Sequence, residues 1–167
     1  MARLFAILRT LVVAPLFVAL WLWWLPRWLG GNGVFADPRP LGWIVVVIGA
    51  AIALPCFWAF AWRGFGTPAP WDAPRKLVIS GPYRFVRNPM YVGMGIAMIG
   101  FAIVFPRLTR IMLGELLVFV IAVSIFVMAY EEPALRRAFG DDYADYCRNV
   151  RRWIPRFRPF DKRATVP

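Results

Sequence analysis

Four long apolar stretches alternate with polar or proline-rich segments along the chain. They cover residues 7–25, 41–62, 90–105 and 111–130. A helix needs about 20 predominantly apolar residues to cross a bilayer, and the stretches approach that length, although the third is short and ends before Pro106. The pattern predicts an all-α, multi-pass integral membrane protein, with about four transmembrane helices in one domain over residues 1–167.

Apolar positions follow a different spacing in the tail after the fourth stretch. They recur at intervals of three and four, at Leu135, Phe139, Tyr143, Tyr146, Val150 and Trp153. This spacing places them on one face of a helix, and Gly140 is expected to break that helix into two. We predict an amphipathic helical cap over residues 131–156. A basic amphipathic segment also suits a membrane surface anchor, and periodicity does not separate the two interpretations.

The composition agrees with a membrane protein. The 167 residues are 60% hydrophobic and include 9 Trp and 14 Phe, which is too apolar for a soluble domain of this size. Basic residues precede the first apolar stretch, so a secretory signal peptide is the alternative for it. No small-residue cleavage site follows, and Trp21, Trp23 and Trp24 resemble the aromatic belt of a span that stays in the membrane.

The net charge of +11 is concentrated in the segment between the second and third stretches and in the tail. Cytoplasmic loops of membrane proteins carry an excess of Lys and Arg. We therefore expect both termini and the loop over residues 63–89 on the cytoplasmic side, in the inner membrane if the protein is bacterial. The charge also suits anionic lipid headgroups, whereas no nucleic-acid-binding module is recognisable.

Histidine is absent, and two cysteines occur, Cys56 in the second stretch and Cys147 in the tail. This composition disfavours zinc, haem and a Cys–His nucleophile, so no metal is expected. Cys56 is interpreted as a core packing residue and Cys147 as a reduced thiol. Neither is expected to enter a functional site.

Two segments carry residues that are costly to place at a membrane boundary. One is the loop GPYRFVRNPMYVG before the third stretch, and the other is YEEP after the fourth, which contains Glu131 and Glu132. Carboxylates in such a place are functional candidates by default. Because both segments are predicted on the same side of the membrane, we expect them to meet. Asn88 and Pro89 also fit a structural role, as the cap and first residue of a helix.

The order of these segments resembles a known family. GPYRFVRNPMYVG, an apolar hairpin and YEEPALRRAFGDDYADYCRNVRRWIP are similar, over about residues 62–156, to the membrane-embedded S-adenosylmethionine-dependent methyltransferases. That group covers the isoprenylcysteine carboxyl methyltransferases and the phospholipid (phosphatidylethanolamine) N-methyltransferases. The resemblance implies an enzyme that uses S-adenosylmethionine and acts on a membrane lipid or a lipidated substrate.

The resemblance also implies a set of site residues. The S-adenosylmethionine pocket is expected to include Arg75, Lys76, Leu77, Val78, Tyr83, Arg87, Asn88, Pro89, Met90, Tyr91, Glu131 and Glu132. In this set Glu131 suits the ammonium group of the cofactor, Arg87 suits its carboxylate, and the two tyrosines suit the adenine ring or the sulfonium. An ammonium acceptor must also lose a proton, for which Glu132 and Tyr91 are the candidate catalytic residues beside water.

Two positions bear on the methyl acceptor. The carboxyl methyltransferases usually carry His where this chain has Asn88, and a substrate-binding Arg where it has Val127. The phosphatidylethanolamine type is similar to this chain in having NPMY and YEEP. A lipid amine is therefore favoured over an isoprenylcysteine carboxylate, and the tail of the acceptor is expected to stay in the lipid.

Two other functions fit parts of the sequence. A nicotinamide-dependent membrane reductase shares the broad architecture and would use an arginine cluster for a 2′-phosphate. A small exporter would use Glu115, an acidic residue inside the fourth stretch. Neither function accounts for the GPYR and YEEP segments, so the methyltransferase is the preferred hypothesis. The oligomeric state stays open.

Overall fold

The computed structural model describes residues 12, 15–59 and 77–161 of the chain. Within these residues all regular secondary structure is helical, which confirms the all-α part of the predicted fold class. Short 3₁₀ turns occur at Asn32–Phe35, Gly81–Arg84 and Pro106–Leu108. The predicted site residues Arg75 and Lys76 lie outside the described residues, as do the start of the first predicted span and the end of the second.

The first helical region extends beyond the predicted end of its span. Residues 15–19 are helical and continue through the π-helical segment Leu20–Trp24 into helix α1 (Leu25–Gly30). The helix therefore runs past the predicted end of the span, whose bounds in the membrane stay a prediction. Pro26 does not end the helix; it lies at the junction between the π-helical segment and α1.

Helices α2 (Gly42–Ala59) and α3 (Pro89–Val104) pack antiparallel at very short range. A Cβ atom built on Gly49 would lie 2.5 Å from the carbonyl oxygen of Gly93, and one built on Gly100 would lie 2.6 Å from the backbone nitrogen of Val46. Small residues let membrane helices approach this closely. The contact fixes the start of α3, which carries several predicted site residues, against α2.

Helix α4 (Thr109–Phe126) does not stop at the predicted end of the fourth span. It continues through a second π-helical segment, Val127–Glu131, into helix α5 (Glu132–Asn149). Like the first, this π-helical segment directly precedes an α-helix with a proline in its first turn, here Pro133. π-helical turns are rare and often mark functional sites, and this one ends in Glu131. The predicted cap therefore begins as a continuation of α4 rather than as a separate element.

The segment predicted as a cap is helical over part of its length, and its role as a cap stays a prediction. Helix α5 breaks at Gly140, which has φ 48° and ψ −122°, as the sequence predicts. The helix ends at Asn149, so the prediction that residues 150–156 are helical is wrong. Val150 is extended, with φ −124° and ψ 126°, because the tail backbone turns away to pair with the loop before α3.

Three buried clusters form the interior of the described part of the chain, and the smallest contains Cys56, Val78 and Tyr83. The bundle cluster joins α3, α4 and the first helical region, and its most buried side chains include Met98, Leu108, Met112, Phe119 and Val127. The cap cluster contains Tyr143, Tyr146, Val150 and Phe160, with Leu77, Leu135 and Phe139 packed against it. The predicted apolar face of the cap is confirmed except for Trp153, which packs on the bundle cluster instead.

Within the described residues, two helices are long and apolar enough to cross a membrane, Gly42–Ala59 and the continuous helix Pro106–Asn149. Helix α3 is apolar but shorter. Many large apolar side chains of α2 and α4 are exposed, as expected for helices that contact lipid. The four-span topology and the cytoplasmic orientation remain predictions.

Gly93→Ala is expected to destabilise the protein by about 1–3 kcal/mol. The added Cβ would lie 2.6 Å from the carbonyl oxygen of Gly49, so α2 and α3 would have to move apart. Gly114→Ala on α4 is the matched control, because nothing lies within 4 Å of its Cβ position and alanine is the better helix former. Thermal unfolding in detergent measures both. Equal thermal midpoints for the two variants would contradict the close packing of α2 on α3.

Glu115 lies in the bundle core. The residue is 4% exposed on the face of α4 that also buries Met112 and Phe119, and neither carboxylate oxygen has a hydrogen-bond partner in the described part of the chain. A buried polar group without a partner costs about 1–3 kcal/mol. Glu115→Met, of similar volume, is therefore expected to raise the thermal midpoint more than Glu115→Gln, which keeps a polar group. A lower midpoint for Glu115→Met would show that the carboxyl group stabilises the fold.

Candidate functional site

Tyr91 and Glu131, two of the predicted site residues, face each other where α3 begins and α4 ends. Tyr91 lies in the first turn of α3, and its hydroxyl donates a hydrogen bond of 3.4 Å to Oε2 of Glu131, across a separation of 40 residues. The Tyr91 ring also stands edge-on to Phe119, with the ring centroids 6.5 Å apart. The loop before the third span and the YEEP segment therefore meet, as the sequence predicts.

The surroundings of Glu131 favour its neutral form in the absence of a cation. Glu131 directly follows the last residue of the predicted fourth span, and burial raises the pKa of its carboxyl group to about 7. The hydrogen bond from Tyr91 lowers this pKa, and the charge of Glu132 raises it further. A group with a pKa in this range exchanges its proton near neutral pH, and a nearby cation would shift it to the carboxylate.

Glu132 is held by two arginines. Arg152 donates two hydrogen bonds to it, Nε to Oε1 at 2.7 Å and Nη2 to Oε2 at 2.9 Å, and Nη1 of Arg87 lies 3.0 Å from Oε1. Burial alone would raise the pKa of Glu132, but the hydrogen bond from Arg152 and the charges of both arginines hold it below its ordinary value. Glu132 is therefore a carboxylate at neutral pH.

Arg152 is the residue of this group that the sequence analysis missed. It follows Glu132 by 20 residues. The sequence feature that could have revealed it is the Arg-Trp pair in the tail, which belongs to the family motif but was given no role. A bidentate arginine–carboxylate pair is among the stronger polar contacts in proteins. Arg152 thus joins the tail to the start of α5.

Arg87 contacts Glu132 rather than Glu131. Its Nη1 also donates to Sγ of Cys147 at 2.8 Å, while its buried Nε has no hydrogen-bond partner in the described part of the chain. Both cysteines are free thiols. Cys147 contacts Arg87, and the buried Cys56 packs with Tyr83. That neither cysteine takes part in the functional site stays a prediction.

Asn88 and Pro89 connect the loop to α3. Pro89 is the first residue of the helix, as predicted. Asn88 occupies the cap position, but its side chain makes no capping hydrogen bond; its Nδ2 instead donates to the carbonyl oxygen of Arg152 at 3.2 Å. The predicted cap position is therefore confirmed, and the side chain of Asn88 joins the start of α3 to the tail.

The remaining described site residues are mainly apolar packing groups. Val78 and Tyr83 are buried against Cys56, and Met90 packs on the same cluster. Leu77 packs on the cap cluster instead. The hydroxyl of Tyr146 donates to the carbonyl oxygen of Tyr83 at 2.7 Å, which fixes the loop to α5.

The C-terminal strap, residues 150–161, runs antiparallel to the loop before α3. Backbone hydrogen bonds join Arg87 N to Arg151 O, Arg156 N to Phe85 O and Phe160 N to Arg84 O, each at 2.9 Å. The side chain of Arg84 adds a bond from Nε to the carbonyl oxygen of Phe160 at 2.7 Å. The strap therefore holds the segment that positions Arg87 and Asn88.

A family model described as phospholipid methyltransferase matches residues 38–142, which include Tyr91, Glu131 and Glu132. The chain belongs to this family. Membership makes it a methyltransferase that acts on a membrane lipid. No curated protein and no solved structure matches the chain.

The region of this phospholipid methyltransferase that matches the family model can be compared with the two other hypotheses, a reductase and an exporter. It includes the GPYR and YEEP segments on which the resemblance was based and ends before Arg152 and the strap. The match supports neither the reductase nor the exporter. Glu115, the residue that motivated the exporter, lies buried in the bundle core.

Proposed function

We propose that this protein transfers a methyl group from S-adenosylmethionine to the amine of a membrane lipid, at the Tyr91–Glu131 pair. The contact between these two residues, inside the region that matches the phospholipid methyltransferases, is the observation that carries the proposal. It joins the two segments that the family resemblance assigns to cofactor binding.

The residues present suit a cationic ligand. Among the described residues no cation pairs with Glu131, whose hydrogen-bond donor is the phenol of Tyr91. A carboxylate in such a place is free to hold an ammonium group, and charge-assisted hydrogen bonds of this type are about twice as strong as neutral ones. The face of an aromatic ring such as that of Tyr91 also attracts a cation.

Glu132 and Arg87 are better suited to positioning than to proton transfer or ligand contact. Glu132 has a lowered pKa and two arginine partners, so it is a weak base near neutral pH. Its pairing with Arg87 occupies the guanidinium that the sequence analysis assigned to the cofactor carboxylate. We assign to both a role in holding the loop and the start of α5 together. Proton acceptance from the acceptor amine then falls to water or to the Tyr91–Glu131 pair.

Val127 supports an amine acceptor over a carboxylate. The residue is 1% exposed and packs in the bundle cluster. It stands where the carboxyl methyltransferases carry their substrate arginine, so this position supplies no cation to an acceptor carboxylate. A lipid amine needs no such partner.

Methyl transfer requires no covalent intermediate with the protein. S-adenosylmethionine supplies a methyl group that is already activated by a sulfonium. The chain's own residues have to align donor and acceptor for an in-line displacement, and positioning of this kind lowers the barrier without a metal. The short-range packing of α2 on α3 and the hydrogen bonds of the strap provide a rigid frame for that alignment.

Transfer of an isotope-labelled methyl group identifies the acceptor. The purified protein is supplied with labelled S-adenosylmethionine and either phosphatidylethanolamine or an isoprenylcysteine carboxylate. We expect label in the phospholipid as a base-stable N-methyl group, and loss of that label in Glu131→Gln. Label released by base as methanol would identify a methyl ester and overturn the amine assignment. A folded protein that labels neither acceptor class would overturn the proposed lipid amine.

Binding of S-adenosylmethionine is expected to weaken as the pH falls below about 7, the value to which burial raises the pKa of Glu131. Below that pH the group facing the cation is a neutral acid, and above it the carboxylate predominates and the affinity levels off. Calorimetric titrations at a series of pH values give the pH at which the affinity is half of its plateau value. Tyr91→Phe removes the hydrogen bond that lowers this pKa. This variant is expected to lose affinity at a higher pH than the unmodified protein. An affinity independent of pH in this range would exclude Glu131 as the cation partner.

A further inference from the structure

The C-terminal strap exposes two large apolar side chains. Phe157 is 103% exposed and Ile154 is 61% exposed, although the backbone on either side of them is fixed by the hydrogen bonds from Arg156 and Phe160 to the loop. Both side chains are thus held in the open by a fixed backbone, and they are available for contact with an apolar partner.

The position of the strap indicates what that partner is. Arg151 accepts a hydrogen bond from Arg87, two residues before α3 begins, and Trp153 packs on the bundle cluster. Ile154 and Phe157 thus belong to a segment held beside the start of α3. In the predicted topology this end of the bundle lies at the membrane surface.

The charged groups of the strap without an ion-pair partner in the described part of the chain are basic. Arg151 and Arg158 are exposed, and neither forms an ion pair within the described part of the chain. The nearby acids have partners of their own, since Asp145 pairs with Arg148 and Asp161 with Arg84. A surface that combines exposed apolar groups with unpaired arginines is complementary to an anionic bilayer.

We infer that the strap docks on the membrane surface, with Ile154 and Phe157 inserted at the headgroup boundary and Arg151 and Arg158 bound to anionic lipid headgroups. This contact is separate from methyl transfer, because none of the four side chains belongs to the Tyr91–Glu131 site. It anchors the strap, and through it the loop that carries Arg87 and Asn88.

A fluorophore at position 157 tests the contact. Phe157→Cys is made in a Cys147→Ser background, labelled with an environment-sensitive dye and placed in nanodiscs that contain a quencher-labelled lipid. The nanodiscs are phosphatidylcholine alone or mixed with phosphatidylglycerol. Arg137→Cys, exposed on α5, is the control site. Quenching is expected to be at least about twofold stronger at position 157 than at position 137 in the anionic discs. Unchanged thermal midpoints verify that the labelled proteins are folded.

The arginines are tested in the same format. A juxtamembrane arginine adds about fivefold to the affinity for an anionic surface. Arg151→Gln with Arg158→Gln is therefore expected to raise the phosphatidylglycerol content needed for half-maximal quenching severalfold. Equal quenching at positions 157 and 137 would overturn the proposal. Strong quenching at 157 that depends on neither phosphatidylglycerol nor the arginines would overturn the assignment of anionic lipid. No methyl donor is present, so either failure leaves the proposed function untouched.

Discussion

Glu131→Gln is expected to weaken S-adenosylmethionine binding by about 10- to 100-fold. The substitution keeps the shape of the side chain and its contact with Tyr91 but removes the negative charge that faces the cation. A hydrogen bond to a charged group contributes about 1.5–3 kcal/mol, and each 1.4 kcal/mol is about tenfold in affinity. Isothermal titration calorimetry on the detergent-purified protein measures the effect.

Asp145→Asn is the matched control for this prediction. It makes the same carboxylate-to-amide change on α5, at a residue whose partner Arg148 is largely exposed, and its affinity for S-adenosylmethionine is expected to equal that of the unmodified protein. Both variants should keep their thermal midpoints. Wild-type affinity in Glu131→Gln would show that Glu131 does not belong to the site. A similar loss of affinity in both variants would show that net charge, rather than this carboxylate, determines binding.

Glu132→Ala is expected to cost about 3–5 kcal/mol of stability. The substitution leaves Arg87, whose side chain is 12% exposed, without its charge partner, and it also frees Arg152 from the start of α5. Removal of one partner from a buried ion pair is strongly destabilising for this reason. The measurement is chemical or thermal unfolding in detergent.

Arg148→Ala provides the comparison for Glu132→Ala. It breaks an ion pair on the same helix, with Asp145, but the arginine side chain is 71% exposed. Exposed pairs contribute little because water screens them, so this variant is expected to unfold close to the wild-type midpoint. Equal destabilisation by the two substitutions would contradict the supporting role given to the Glu132 pairs.

The sequence was sufficient for the fold class and for the meeting of the two motifs. Hydrophobic runs located the start of α2 and both ends of α3 to within a few residues, because apolar length is what a bilayer selects. The sequence placed the two motifs on one side of the membrane, and the family resemblance placed them in one pocket, but neither specified the contact of Tyr91 with Glu131. The assignment of Arg87 was less accurate, since sequence order does not show which of two adjacent carboxylates an arginine reaches.

Features that depend on tertiary contacts could not be predicted from the sequence. The π-helical segment Val127–Glu131 carries the helix across the predicted boundary, and no apolar pattern signals such a turn. The end of α5 at Asn149 and the strap depend on backbone pairing with residues 84–87, which lie far away in the chain. Arg152 was missed for the same reason, because its role follows from the path of the strap.

Titration of S-adenosylmethionine into the detergent-purified protein, with NADPH as the comparator, tests the central claim most directly. A ligand that binds the folded state raises its thermal midpoint, so heat and thermal stability report the same event. The account predicts saturable binding of S-adenosylmethionine, no binding of NADPH, and a large loss of affinity in Glu131→Gln. Binding of NADPH alone, or of neither ligand by protein shown to be folded, would contradict it.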